Sequence, residues 1–227
     1  MPSEIKPLFL LADSQLLFWQ REGIPFLSIA RDQIPQTSPK AAYLGASNED
    51  DPAFYQLFEA AMDLIEIHDR RMIPSRVTNE DISFLSEADL ILLAGGDAVR
   101  GWKTFEESGM REHIVNQFLN GAILIGISAG AMQLGQYVWP EGFPDNELIL
   151  KSFGLAPFVI GAHDEKNDWA DLKQALAAIK TEFPAIGIPS GGGLIYHADG
   201  SVEPVRKPLH ELLLKDGTIK SNILDPP

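Results

Sequence analysis

The feature that most constrains this fold is a recurrence of short segments that are apolar on consecutive positions: "LFLLA" at 8–12, "AAYLGA" at 41–46, "LILLAG" at 90–95, "AILIGI" at 122–127, "FVIGA" at 158–162 and "AIGIP" at 185–189. A strand with one wet face alternates polar and apolar residues, whereas a strand apolar throughout has to be covered on both faces. Segments of helical periodicity lie between these runs. Residues 53–67, "AFYQLFEAAMDLIEI", put Phe54, Leu57, Phe58, Ala61, Leu64 and Ile65 on one stripe, with Asp50 or Asp51 and Pro52 as the start signal. Asn79 is the expected cap of a short helix through "EDISFL". Residues 104–119 read as one helix weakened at Gly109 and ended by Asn120-Gly121, and a further helix is expected over 167–180. This order predicts βαβ units and a mostly parallel, doubly wound sheet with helices on both faces. "YHADGSVEPV" departs from the pattern and predicts a C-terminal β-hairpin turning at Asp199-Gly200.

No internal repeat, low-complexity tract or long linker divides the 227 residues, so a single domain over 1–227 is expected. The chain has no cysteine, which removes disulfides, thiolate metal sites and a cysteine nucleophile. Its formal net charge of -14 repels polyanions, so neither nucleic acid nor an anionic membrane is an expected partner. The opening "MPSEIKPLFLLADSQ" lacks the basic lead and long apolar core of a signal peptide, and no later apolar run reaches bilayer-spanning length; a cytoplasmic protein is expected. The histidines His68, His113, His163, His197 and His210 form no i, i+4 pair and no HExxH run, so no metal and no cofactor is expected.

Chemistry concentrates in "GAILIGISAGAM" at 121–132, where an apolar strand stops at Gly126-Ile127-Ser128-Ala129-Gly130 and resumes as a helix. Active groups in a doubly wound sheet collect at the carboxyl ends of strands. A sharp strand-to-helix turn lifts the Ser128 hydroxyl clear, while the small neighbours Gly126 and Gly130 leave room for the turn. The Ala129 N–H, at the helix start, can face an oxyanion. One βα unit earlier, "LLAGGD" ends a second strand in a glycine pair, which lets another backbone amide approach the same point. A simple strand-helix turn that happens to hold a serine is the alternative.

The order "YLGAS", "LLAGGD", "GAILIGISAGA", "SFGLAPFVIGAHDE", "AIGIPSGGGLIYHADGSV" resembles the S51 peptidases, which include aspartyl dipeptidase and cyanophycinase. The resemblance covers most of the chain from about Lys40. It implies a three-layer α/β/α sandwich related to class I glutamine amidotransferases, with a serine nucleophile, a histidine base and an acid. Carried over residue by residue, it implies Ser128 as nucleophile, His163 as general base, and Gly96 and Ala129 as oxyanion donors. The family's acid has no counterpart here. Ser190 falls at or next to that slot and is taken as the third catalytic position, while Asp164, Glu165, Asp168, Glu141 and Asp145 are the nearby carboxylates that could substitute.

Two departures bear on substrate. Ala98 stands where cyanophycinases carry a glutamine, and their arginine-rich loop after the histidine is reduced to Lys166. Asp97, Arg100 and Lys166 are the expected substrate-binding side chains, the two cations being suited to an acidic substrate. The expected function is therefore a serine hydrolase of small acidic or Asp-containing peptides, working through an acyl-enzyme, with a small peptide as its partner and a homodimer as an open possibility for assembly. The competing expectation is an impaired relative that binds a ligand without cleaving it. An α/β-hydrolase esterase using His197 or His210 is a third. Trp102, Trp139 and Trp169 follow the loops that should border the site and are expected in the core rather than in a cleft.

Overall fold

A computed structural model describes residues 5–142 and 148–227. The chain begins with β1 (Leu8–Leu11), a small hairpin of β2 (Gln20–Arg21) and β3 (Ile24–Pro25), and α1 (Ser28–Arg31). It continues through β4 (Lys40–Leu44), α2 (Pro52–Asp63), β5 (Asp69–Ile73), α3 (Asn79–Leu85), β6 (Leu90–Leu93), α4 (Ala98–Glu107), α5 (Met110–Leu119), β7 (Ile123–Ile127) and α6 (Ala129–Leu134). The remainder is β8 (Tyr137–Val138), β9 (Leu150–Lys151), β10 (Val159–Ala162), α7 (Ala170–Ile179), β11 (Ala185–Ile188), β12 (Gly193–Tyr196), β13 (Val202–Val205), β14 (Leu209–Lys215) and β15 (Thr218–Leu224). No helix among the described residues is long and apolar enough to cross a membrane.

The central sheet has seven strands in the order β13-β12-β1-β7-β6-β4-β5. Strands β1, β7, β6, β4 and β5 are parallel to one another, and β12 and β13 close one edge antiparallel. The consecutive apolar residues divide strictly by parity, as the pleat requires. Leu8, Leu10, Leu44, Ile91, Leu93 and Leu124 enter one core with residues of α4, α5 and α6. Phe9, Leu11, Tyr43, Leu90, Leu92 and Ile125 enter the other with Phe26, Leu27 and the α2 residues Phe58, Ala61 and Met62. The expected hairpin is β12–β13, with Tyr196 opposite Val202. The mixed α/β architecture with a central, mostly parallel sheet is the one expected.

Three local expectations change. Thr78, not Asn79, caps α3: its hydroxyl accepts from the Asp81 N–H while Asp81 Oδ2 accepts from the Thr78 N–H, a reciprocal box that makes Asn79 the first helical residue. The segment 104–119 is two helices, because Gly109 takes φ +77° and ends the run that began at Ala98. Strands β10 and β11 belong to a separate four-stranded sheet, β10-β11-β14-β15, in which β14 and β15 form a second hairpin. This second sheet packs against the far side of α6, where Ile160 and Ile186 join the core that holds Ala131 and Leu134.

Helix α6 is thus clamped between two sheets, and its approach to the first depends on glycine. A Cβ on Gly130 would lie 2.2 Å from the Leu93 carbonyl oxygen, and one on Gly126 would lie 2.6 Å from the Ala131 nitrogen. Both strand and helix backbones would have to separate. Gly130→Ala is expected to cost about 1–3 kcal/mol through overpacking, measured as a fall of several degrees in the midpoint of thermal denaturation.

Candidate active site

Ser128 connects β7 to α6 with φ 49° and ψ -106°, a conformation costly for any residue with a Cβ. The surroundings impose it. The Ser128 N–H donates to the Leu11 carbonyl at 2.8 Å, continuing the β1–β7 ladder by one residue, while the Ser128 carbonyl already accepts from Met132 N at 3.0 Å as the first bond of the helix. One residue must serve both strand and helix, and the side chain is left to project from the turn. It caps nothing; its Oγ lies 2.7 Å from His163 Nε2.

His163 reaches that position from the second sheet. It follows β10 directly, and its N–H donates to the Ile188 carbonyl at 2.9 Å, so parallel pairing with β11 fixes the backbone from which the ring extends. Its own φ is 48°. The other histidines are engaged elsewhere: His113 Nδ1 is 3.0 Å from Ser86 Oγ, His197 Nε2 is 3.0 Å from Glu203 Oε2, and His210 packs against Trp169. This removes the histidines on which the esterase alternative depends.

Gly96 and Ala129 line the same cavity as Ser128. The Ala129 N–H begins α6 and has no carbonyl partner within the helix. The Gly96 N–H has no partner among the described residues. Gly96 takes φ +127°, and a Cβ there would lie 2.1 Å from the Ser47 carbonyl oxygen, which also accepts from Asp97 N at 2.8 Å. Only glycine can bring β6 so close to the loop after β4. That loop is locked further by Gln133, a fully buried α6 residue whose Nε2 donates to Ser47 Oγ at 3.0 Å and to the Ala98 carbonyl at 2.9 Å. Gln133 ties α6 to the loop after β4 and to the glycine-pair loop. A lone glutamine on a helix carries no signal of this in the sequence.

Ser190 stands near the position expected of the third member but makes different bonds. It lies two residues past the end of β11, the strand whose Ile188 carbonyl accepts the His163 N–H, and its own N–H donates to Glu165 Oε1 at 3.2 Å. Burial works to raise the Glu165 carboxyl. Its own amide, the Ser190 hydroxyl and amide, and nearby Lys207 outweigh that effect and hold it below its usual value. The serine therefore serves the carboxylate, and no hydrogen bond joins it to the imidazole.

The other carboxylates are also placed. Asp164 accepts from Asn167 Nδ2 at 2.9 Å and from Asp171 N at 3.2 Å, and so organises the turn into α7. Asp168 pairs with Lys173 at 2.6 Å. Asp145 lies outside the described residues. Among the described residues nothing hydrogen-bonds His163 Nδ1.

The expected substrate-binding side chains are only partly assembled. Asp97 caps α4, accepting from Arg100 N at 2.9 Å, and lines a cavity of about 460 Å³ together with Gly96, Ser128, Ala129 and His163. Arg100 pairs with Glu49 and, at 4.0 Å, with Asp97 without lining the cavity itself, and Lys166 is exposed outside the cavity wall. Trp139 is buried and lines the same cavity. Trp102 packs edge-on to Phe153, with ring centroids 5.0 Å apart, and Trp169 covers Gly187; both belong to the core as expected. Among the described residues no group of three or more histidine, aspartate and glutamate side chains comes together as a metal ion needs.

This Ser128–His163 geometry sits within a segment that matches a known family model, Peptidase family S51, over residues 30–203. The chain belongs to peptidase family S51. Solved structures with the same fold include a peptidase from an acI-B1 Actinobacterium, with a TM-score of 0.71 at 20% identity over 98% of this chain and 95% of that one. A putative peptidase E protein from Listeria monocytogenes EGD-e has a TM-score of 0.63 at 14% identity over 89% of this chain and 99% of that one. Among curated proteins no sequence matches. Membership of the S51 family makes this chain a peptidase in the coarse sense.

The Glu165–Ser190 contact has a measurable signature. A carboxyl held low in the folded state adds stability above its usual value of 4.5 and loses that contribution as pH falls through the folded value. The stability difference between the native protein and Glu165→Gln, followed by chemical denaturation, is expected to be about 1 kcal/mol or less at pH 7 and to shrink as the medium is acidified below about pH 4.5.

Proposed function

We propose that this chain is a serine peptidase acting on small peptides through an acyl-enzyme on Ser128. The observation that carries this reading is the 2.7 Å approach of Ser128 Oγ to His163 Nε2 at a strained strand-helix elbow. In the tautomer protonated on Nδ1, Nε2 accepts the hydroxyl proton as Oγ attacks the substrate carbonyl carbon. The carbonyl oxygen becomes an oxyanion received by the Gly96 and Ala129 N–H groups. Collapse of the tetrahedral species breaks the C–N bond, and the Nε2 proton passes to the departing amine. Water then repeats the sequence against the ester, giving the carboxylic acid and restoring Ser128.

Preference for an acidic substrate, which the family resemblance implies, has little support in the cavity wall. Asp97, Glu141, Asp164 and Asp171 line it, and no lysine or arginine does so among the described residues. Four carboxylates around one cavity repel a substrate carboxylate and favour the amino end of a peptide. The reading adopted is therefore a peptidase of small peptides whose cationic end faces these residues.

A second reading, an impaired relative that binds peptides without cleaving them, is favoured by one observation: His163 Nδ1 has no hydrogen-bond partner among the described residues. An imidazolium formed there lacks the carboxylate that would stabilise it. The two readings separate by covalent labelling and turnover. A peptidyl phosphonate is expected to modify the native protein at Ser128, and Ser128→Ala and His163→Ala are each expected to lower kcat/KM by on the order of 10³-fold or more. Absence of labelling, with native and Ser128→Ala proteins equally inert across a peptide panel, would favour the binder.

A further inference from the structure

The Ser128–His163 pair lies on the divide between two cavities of opposite character. One is the carboxylate-lined cavity of about 460 Å³. The other, of about 300 Å³, is walled by Leu17, Tyr43, Phe54, Leu57, Phe58 and Ile127, with Asp13, Ser14 and Asn48 at its polar margin. Gly96, Ser128 and His163 form part of both walls. A carbonyl held at Ser128 Oγ therefore has one flank directed to each cavity.

The apolar wall contains two side chains that the core does not cover. In α2, Phe58, Ala61 and Met62 are buried in the core, but Phe54 and Leu57, on the same amphipathic stripe, remain 48% and 40% exposed. This apolar face leaves the core just where it meets Ser128 and His163, so its uncovered surface lines the cavity beside them. The cavity is of the size that small ligands occupy. Its continuity with Ser128 identifies the occupant as part of the molecule being cleaved.

We propose that the cavity bounded by Leu17, Phe54, Leu57 and Ile127 is a specificity subsite that takes an aromatic or branched aliphatic side chain on one residue flanking the scissile amide. This deepens the peptidase reading and rests on it. Removing such a side chain from water against apolar walls gives a preference over alanine of about 10- to 100-fold. An aspartate side chain in the same cavity would lose its hydration without gaining a cation.

The test uses the intact protein and the dipeptide amides X-Ala-NH2 and Ala-X-NH2, with X as Phe, Leu, Ala or Asp, so that either flank can supply the side chain. Binding to Ser128→Ala is measured by calorimetry and turnover by the native protein. In one of the two orders, Phe and Leu are expected to bind about 10- to 100-fold more tightly than Ala, with Asp weakest. Phe54→Asp introduces charge and Leu57→Trp fills the space; each, checked by circular dichroism for folding, is expected to bring the Phe-to-Ala ratio toward one. No preference in either order, or a preference that survives both variants, overturns the subsite. Preference in binding with no turnover and no phosphonate labelling leaves the subsite standing and overturns the peptidase reading alone.

Discussion

The site depends on the contact between α6 and the strand beside it. Gly130 packs so closely on the Leu93 carbonyl that no Cβ fits, and this proximity sets the point at which the chain must leave β7. Ser128 is then bound in two directions, its N–H to the strand partner at Leu11 and its carbonyl to the helix at Met132. With both backbone groups committed, its φ and ψ are over-determined, which is how a position costing roughly 1–3 kcal/mol persists. The strain is held by the ladder and the helix together. The side chain, free of both, meets a histidine delivered by a different sheet.

That second sheet explains what sequence could and could not convey. The short all-apolar runs announced buried strands, and their parity sorted Leu8 from Phe9 and Leu92 from Leu93 into opposite layers. Nothing in "FVIGA" or "AIGIP" distinguishes a strand of the central sheet from one in a neighbouring sheet, because both are covered on two faces. Ser128 and His163 were legible all the same, since an elbow motif and a histidine at a strand end specify positions along the chain. Their meeting across two sheets is a tertiary fact.

The third position shows the limit more sharply. Matching along the chain puts Ser190 at or next to the acid's slot, two residues after Ile188, whose carbonyl accepts the His163 N–H. What a side chain bonds to there depends on competition among neighbours. Glu165, two residues after the histidine, folds back so that Oε1 accepts the Ser190 N–H, while its buried Oε2 has no hydrogen-bond partner among the described residues and neither residue bonds the imidazole. Gln133 is the converse case, a residue without motif character whose buried amide joins α6 to the loops on either side of Gly96.

The stripe on α2 carries the same lesson in another form. Its periodicity correctly announced a helix with an apolar face, and the natural inference was that Phe54, Leu57 and Leu64 would all be buried with Phe58. A helix face can be wider than the core that receives it. Leu64 is exposed near the end of the helix, a common fate for a single surface leucine. Phe54 and Leu57 differ because they extend one apolar surface up to Ser128 and His163, while the opposite flank of the same pair is lined by carboxylates. In the proposed reading, these two exposed side chains receive one flank of the substrate, and the asymmetry of charge across Ser128 sets the direction in which a peptide lies.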